Sequence, residues 1–167
     1  MRKIKLFDPI TDNCEKNAIN RVLESKFWAS GAGNGEVKKF EGKFLKYVNS
    51  KSCVAVNSGT AALNLALSIY DIKNKEVILP SLSFVATANA IIENGGIPKF
   101  VDVDEKTLCI DPKKILDSIT NKTKVILPVH FGGFSSDLAE ISKICKKNKI
   151  NLIEDAAHST DATYKNK

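Results

Sequence analysis

Long apolar runs are absent from this 167-residue sequence. The longest, in "EVILP" and "KVILPV", have the length of a strand, far short of the roughly 20 residues of a membrane helix. The opening "MRKIKLFDPI" also lacks the apolar core of a signal peptide. We therefore expect a cytoplasmic protein without a membrane partner, and the 43% hydrophobic content is typical of one globular domain.

Paired cysteines and basic patches are missing as well. Cys14, Cys53, Cys109 and Cys145 are far apart and form no C-x-x-C pair, which argues against a zinc site and indicates reduced, mostly buried thiols. The net charge of +6 comes from scattered lysines without interleaved aromatic residues. We expect no bound metal and no nucleic acid partner.

Short β-rich segments alternate with helical patterns after a predicted helix near residues 14–25. The predicted strands begin with "CVAV" (53–56) and continue with "EVIL", "IPKFVDV", "KVILPVH" and "INLIE". This alternation predicts an α/β domain with a mainly parallel sheet covered by helices. The glycine-rich segment "FWASGAGNGEV" (27–37) is a predicted loop, which either approaches a ligand or simply connects two helices.

Parallel sheets bind ligands beyond the carboxyl ends of their strands, so the residues that follow each predicted strand are the candidates for a site. "NSGTAAL" follows residues 53–56. Ser58, Gly59 and Thr60 would place a hydroxyl, a flexible turn and free helix N–H groups together, which suits a phosphate. Alternatively, Ser58 or Thr60 only caps its own helix.

Aromatic, imidazole and carboxylate side chains follow the later strands. Phe84 either stacks on a flat ligand or packs in the core, and His130 either orients a ligand or is structural. Glu154 and Asp155 would point to opposite faces, so at most one of them faces the site, where a carboxylate can pair with a ligand nitrogen. His158 lies close enough in sequence to reach the same ligand.

Two common phosphate motifs do not fit. A dinucleotide site requires G-x-G-x-x-G and a P-loop requires G-K-[ST], whereas "NSGTAAL" has one glycine and no lysine. Periodicity and composition therefore indicate an α/β domain that binds a phosphorylated ligand.

Four segments in order resemble one family: "NSGTAALNLAL", "PSLSFVATANAIIENGGIPKFVDVDEKTLCIDP", "VILPVHFGG" and "NLIEDAAHSTDATYKNK". They are similar to the DegT/DnrJ/EryC1/StrS family of pyridoxal phosphate enzymes, mostly aminotransferases of nucleotide-linked keto-sugars. The resemblance covers residues 27–167. It implies a partial fold-type-I large domain over residues 1–167, without its C-terminal part and the small domain. It also implies glutamate as amino donor and a homodimer.

The resemblance assigns roles by position. It places the cofactor phosphate at one helix start: Gly59, Thr60 and Ala61. Phe84 would stack on the pyridine ring, and Asp155 would keep the ring nitrogen protonated, so that the ring acts as an electron sink. His158 would lie near the phenolic oxygen of the ring, and Glu154 would be structural.

The family's Schiff-base lysine lies in a later S-x-H-x-x-K-like segment that this sequence does not contain. Lys165 and Lys167 match a surface turn of the family instead. We therefore expect these 167 residues alone not to transaminate. Two alternatives stay open: a sugar dehydratase of the same family, in which histidine replaces that lysine, and an inactive remnant or dimerising module.

Overall fold

The computed structural model describes residues 9–28 and 35–165, so most of the predicted glycine-rich loop (27–37) lies outside the described residues. The chain divides into two compact units, Met1–Ala55 and Val56–Lys167. All the candidate site residues belong to the second unit.

The first unit contains two helices, α1 (Asn13–Ser25) and α2 (Glu36–Tyr47), and α1 confirms the predicted helix. Asp12 begins α1 with a capping box. Its carboxylate accepts the Cys14 N–H at 2.5 Å, while its own N–H donates to the Glu15 carboxylate at 2.7 Å. The Cys14 N–H also holds the pKa of the Asp12 carboxyl below its usual value.

The predicted strand over residues 53–56 is wrong. This segment forms no ladder with any residue in the described part of the chain. Its Ala55 N–H instead donates to the Glu41 carboxylate of α2 at 2.8 Å. Val54 and Val56 are exposed. A β-rich segment becomes a strand only where a neighbouring backbone pairs with it, and this one has no such neighbour here.

The second unit contains four strands: β1 (Glu76–Pro80), β2 (Ile97–Val101), β3 (Thr123–Ile126) and β4 (Asn151–Leu152). Its helices are α3 (Gly59–Ser68), α4 (Val85–Glu93), α5 (Pro112–Ser118) and α6 (Leu138–Asn148), with a 3-10 turn at Phe131–Gly133. These elements confirm the predicted α/β fold.

The strands form one parallel sheet in the order β2-β1-β3-β4. From β1 the chain passes through α4 to β2 on one side. It then returns through α5 to β3 on the other side of β1. The carboxyl ends of β1 and β3 therefore flank a point where the direction of winding reverses, and open α/β sheets bind their ligands at such points.

Successive β1 side chains enter two separate apolar clusters. Val77 packs in a cluster with Leu67 of α3 and Ile91 of α4. Ile78 packs in the other cluster, which includes Ile141 of α6. Because neighbouring strand residues point to opposite faces, α3 and α4 cover one face of the sheet and α5 and α6 cover the other.

The four cysteines are free. Cys109 and Cys145 are buried as predicted, but Cys14 is exposed and Cys53 is half-buried. Burial raises the pKa of the Cys145 thiol to about 11, which keeps that thiol protonated and unreactive at neutral pH. Among the described helices, none is long and apolar enough to cross a membrane.

A polar cluster closes the amino edge of the sheet, opposite the strand ends where ligands bind. The Glu76 carboxylate accepts hydroxyl hydrogen bonds from Thr120 at 2.6 Å and Thr123 at 3.1 Å, and Lys99 Nζ lies 3.3 Å from it. The Thr120 hydroxyl, with help from Lys99 and Thr123, holds the pKa of the Glu76 carboxyl below its usual value.

Candidate active site

Backbone pairing at the carboxyl edge of the sheet brings the segments after β3 and β4 together. Val129 and Asp155 form a parallel bridge. The Asp155 N–H donates to the Pro128 carbonyl at 2.9 Å, and the His130 N–H donates to the Asp155 carbonyl at 3.2 Å. The backbone of Asp155 is therefore fixed on the sheet rather than carried by a free loop.

The Asp155 carboxylate is buried, with 8% of the residue exposed. Its Oδ2 accepts the Thr87 hydroxyl at 2.9 Å, and its Oδ1 accepts the Ala157 N–H at 3.2 Å. No lysine, arginine or histidine of the described residues forms an ion pair with it. A carboxylate has about four acceptor positions, so this one retains capacity for an N–H donor from a ligand.

Glu154 has different neighbours, as expected for consecutive residues near the end of a strand. Its carboxylate lies 3.1 Å from His130 Nε2 and is partly exposed. The two acidic side chains therefore have separate roles: Glu154 binds a histidine, and Asp155 binds a threonine on α4.

His130 is buried, and both of its ring nitrogens have protein partners. Nδ1 accepts the Ser136 N–H at 3.1 Å, so the proton of the neutral ring is on Nε2, which donates it to Glu154. Of the two interpretations of His130, the structural one fits. The Ser136 hydroxyl does not form a hydrolase triad with it, because Ser136 is fully buried and its hydroxyl donates to the Val129 carbonyl at 3.3 Å.

Phe84 is the N-cap residue of α4 and is 75% exposed. Its carbonyl accepts the Thr87 N–H at 3.0 Å, which begins the helix one turn before the residue that binds Asp155. The ring is not part of the core, so the predicted core role is wrong, and ligand stacking stays a prediction.

His158 is exposed and lies against the turn that follows β3. Its Nδ1 accepts the Gly132 N–H at 3.2 Å, and its ring meets Phe131 edge-on with centroids 5.8 Å apart. Gly132 and Gly133 have φ of 61° and 85°, and a Cβ on Gly133 would lie 3.1 Å from the His158 carbonyl oxygen. The glycines thus allow the close approach, and Nε2 of the neutral ring keeps its proton as a donor.

The first turn of α3 forms a separate polar group. Ser58 caps the helix by accepting the Ala61 N–H at 3.1 Å. The N–H groups of Gly59 and Thr60 have no partner among the described residues. A Cβ on Gly59 would meet no atom within 4 Å. This open helix start has the donors that bind an anion. Helix α3 packs against α4, although no hydrogen bond joins this group to Asp155.

Sequence reasoning missed Thr87, whose hydroxyl binds Asp155. The residue is fully buried and also accepts the Ser83 hydroxyl at 2.7 Å. One signal was available: Thr87 interrupts the alanine and isoleucine positions of α4, where an apolar residue would satisfy the helical pattern. No group of acidic, histidine or cysteine side chains in the described parts of the chain has a metal-binding arrangement.

A parallel sheet with helices on both faces and a buried carboxylate at its carboxyl edge is the architecture of pyridoxal-phosphate aminotransferases of fold type I, and solved structures of such enzymes match it closely. The chain belongs to the DegT/DnrJ/EryC1/StrS aminotransferase family, whose model matches residues 9–167.

Two relatives show the degree of similarity. The spore coat polysaccharide biosynthesis protein SpsC of Bacillus subtilis is 42% identical over 158 residues, which are 94% of this chain and 40% of the relative. The dTDP-3-amino-3,6-dideoxy-alpha-D-galactopyranose transaminase of Aneurinibacillus thermoaerophilus is 43% identical over 153 residues, 91% of this chain and 41% of the relative. The chain thus spans about two fifths of the length of these relatives.

Two solved structures match with similar coverage. 3-Amino-5-hydroxybenzoic acid synthase has a TM-score of 0.91 at 35% identity, over 95% of this chain and 41% of that one. GDP-4-keto-6-deoxymannose-3-dehydratase, solved with a trapped PLP-glutamate geminal diamine, has a TM-score of 0.89 at 34% identity, over 99% of this chain and 44% of that one.

Replacing His130 with leucine should lower the free energy of unfolding by about 1–3 kcal/mol, because the buried Ser136 N–H loses its acceptor. Urea denaturation measures this loss. His158→Leu is the matched control, since that exposed ring accepts a single N–H from the described residues, and the loss of unfolding free energy should stay below about 1 kcal/mol. Equal small losses of unfolding free energy in both variants would show that His130 does not stabilise the turn between β3 and α6 that contains Ser136.

Proposed function

We propose that this chain is the cofactor-binding part of a pyridoxal-phosphate-dependent aminotransferase that acts on nucleotide-linked keto-sugars, with glutamate as amino donor. The observation that carries the proposal is the buried Asp155 carboxylate, which has hydrogen-bond donors around it but no cationic partner in the described residues. The names of the relatives support the substrate class, because one of them is a transaminase of a dTDP-linked amino sugar.

The residues present fit pyridoxal 5'-phosphate at three points. The free N–H groups of Gly59 and Thr60 suit its phosphate, with the Ala61 N–H shared with Ser58. The exposed ring of Phe84 suits stacking on a pyridine. Asp155 offers an acceptor for a ring N–H. The cofactor is accordingly pyridoxal 5'-phosphate, which two of the matching solved structures contain, one as a glutamate adduct and one in hydrated form.

Each of these side chains acts on a particular part of the ligand. When bound, the cofactor supplies an electron-withdrawing ring that stabilises negative charge on the carbon that gains or loses a proton. Asp155 would keep the proton on the ring nitrogen by ion pairing through a carboxylate that is itself buried. Phe84 would cover one face of the ring, and the N–H groups at the start of α3 would hold the phosphate. His158 would direct its Nε2–H to an oxygen of the ring.

Sugar dehydration is the second candidate function. It is favoured by the match to GDP-4-keto-6-deoxymannose-3-dehydratase, which covers 99% of this chain at a TM-score of 0.89. Asp155, Phe84 and the α3 terminus serve either reaction equally, because each binds the cofactor rather than the sugar. A remnant without any cofactor is the third candidate, and cofactor binding distinguishes it from the other two.

We also propose that residues 1–167 correspond to the N-terminal part of the large, cofactor-binding domain, that the protein is a homodimer and that it works in the cytoplasm. The assignment to the N-terminal part is supported by the coverage, because the chain matches about two fifths of the length of its relatives. Apolar side chains exposed on both helices of the first unit, including Leu23 and Phe40, support association. Four free thiols suit a reducing compartment.

Pyridoxal 5'-phosphate should raise the melting temperature of the wild-type protein by about 5–10 °C at a concentration about one hundred times the wild-type Kd. The same concentration is used for the Asp155→Asn variant. Asp155→Asn should show a much smaller rise, because the amide has no charge to pair with the ring N–H. Differential scanning fluorimetry measures both. Equal rises in the two proteins would remove the assignment of Asp155, and no rise in either would favour the remnant.

Gly59→Ala should weaken cofactor binding by about tenfold or more, since its Cβ would enter the open space where the phosphate binds. Gly42→Ala is the matched control: this helical glycine also has no atom within 4 Å of a built Cβ, but it lies on α2. Both alanines should preserve folding. Equal Kd values for the two variants in a fluorescence titration would place the phosphate elsewhere.

We further propose that the 167 residues bind the cofactor without a covalent bond and do not transaminate. Among the described residues no lysine donates a hydrogen bond to Asp155, Thr87 or His158. Borohydride reduction of the loaded protein, followed by mass spectrometry, should therefore find no single lysine that carries the cofactor stoichiometrically, as distinct from scattered substoichiometric labelling of exposed lysines. A stoichiometric adduct at one lysine, or robust turnover with glutamate and a keto-sugar nucleotide, would refute this.

A further inference from the structure

A line of three side chains connects the start of α4 to the buried carboxylate. The Ser83 hydroxyl lies 2.7 Å from Thr87 Oγ1, and Thr87 Oγ1 lies 2.9 Å from Asp155 Oδ2. An ionised carboxylate only accepts hydrogen bonds. Thr87 must therefore donate its proton to Asp155, and its own oxygen is left to accept the Ser83 proton.

The bond between Thr87 and Asp155 joins two segments that are 68 residues apart in sequence. Thr87 lies on α4, which follows β1, whereas Asp155 follows β4 at the other side of β3. The hydrogen bond thus spans the point where the winding of the sheet reverses. Backbone pairing fixes the main chain of Asp155, whereas among the described residues Thr87 and Ala157 alone donate to its carboxylate.

Burying the hydroxyl of Thr87 costs free energy that an apolar side chain of the same shape would not. It is fully buried on a helix whose other buried residues are Ala86, Ala90 and Ile91. A valine of the same shape would fill the space without a hydroxyl to satisfy. A threonine in a helix also commonly bonds back to the carbonyl four residues earlier, whereas this hydroxyl binds two side chains instead.

We infer that Thr87 is a positioning residue for the cofactor ring: its hydroxyl holds the Asp155 carboxylate in the rotamer that accepts the ring N–H. This inference rests on the proposed function. With Oδ2 occupied by Thr87 and Oδ1 by Ala157, the carboxylate has a single orientation, and its remaining lone pairs accept a ligand donor. Ser83 supports Thr87 by occupying the acceptor position of its oxygen, which orients the proton towards Asp155.

A pair of ligands tests this role without any turnover. Pyridoxal 5'-phosphate has a ring N–H for Asp155, and its 1-deaza analogue has a C–H at the same place. The Kd of each is measured by fluorescence titration of the protein. Wild type should bind pyridoxal 5'-phosphate about tenfold or more tightly than the analogue, because a charge-assisted hydrogen bond is lost with the nitrogen.

Thr87→Val should reduce the ratio of the two Kd values by about fivefold or more. Thr87→Ser, which keeps the hydroxyl, should retain most of the wild-type ratio. If Thr87 were merely structural, Thr87→Val would weaken the binding of both ligands alike. An unchanged ratio of the two Kd values would therefore overturn the inference. Thr123→Val is the matched control, since it removes a hydroxyl that donates to the Glu76 carboxylate at the opposite edge of the sheet. It should lower stability without changing the ratio.

The two proposals fail in different ways. If wild type binds neither ligand, the proposed cofactor-binding function is wrong. If it binds both equally, the proposed role of Asp155 in that function is wrong. If wild type prefers pyridoxal 5'-phosphate and Asp155→Asn abolishes that preference while Thr87→Val retains it, only the role of Thr87 is wrong. Circular dichroism of each variant, compared at equal temperature, shows that the ratios refer to folded protein.

Discussion

Burial of the Asp155 carboxylate is the constraint that orders this part of the molecule. A carboxylate removed from water requires donors in place of its hydration shell, since an uncompensated buried charge costs several kcal/mol. Here Thr87 and Ala157 supply those donors, and both come from segments held by the sheet and its helices. The donors that compensate for burial of the carboxylate therefore also fix its direction, on a backbone that is already paired with the sheet.

The neighbouring Glu154 and His130 contribute by ordering the turn after β3. Their hydrogen bond fixes the imidazole, which in turn accepts the Ser136 N–H and orders the turn after β3. That turn presents Gly132 to His158. Asp155 thus contacts Thr87 of α4, and the adjacent Glu154 orders the turn after β3 through His130. This division follows from the alternation of side chains in extended backbone.

Much of the fold could be predicted from local patterns, because strands β1 to β4 and helices α3 to α6 each have their signal in adjacent residues. The failures depend on distant partners. Residues 53–56 have the composition of a strand, yet no described backbone pairs with them. Thr87 carries no motif, and its partner lies 68 residues away. The strand-end rule predicted the positions of Phe84 and Asp155. Periodicity left open which of Glu154 and Asp155 faces a site, and only the family resemblance assigned that role to Asp155.

Tyr164 gives the segment after Asp155 a second attachment. Its hydroxyl donates to the Asp137 carboxylate at 2.7 Å and accepts the Ala139 N–H at 3.2 Å, so it forms part of the N-terminal cap of α6. The Tyr164 hydroxyl also lowers the pKa of the Asp137 carboxyl. Asp137 also accepts the Glu140 N–H at 3.2 Å, so release of this segment weakens the cap of α6 without removing it, and the loop that carries His158 opens at a lower free-energy cost than the helix does.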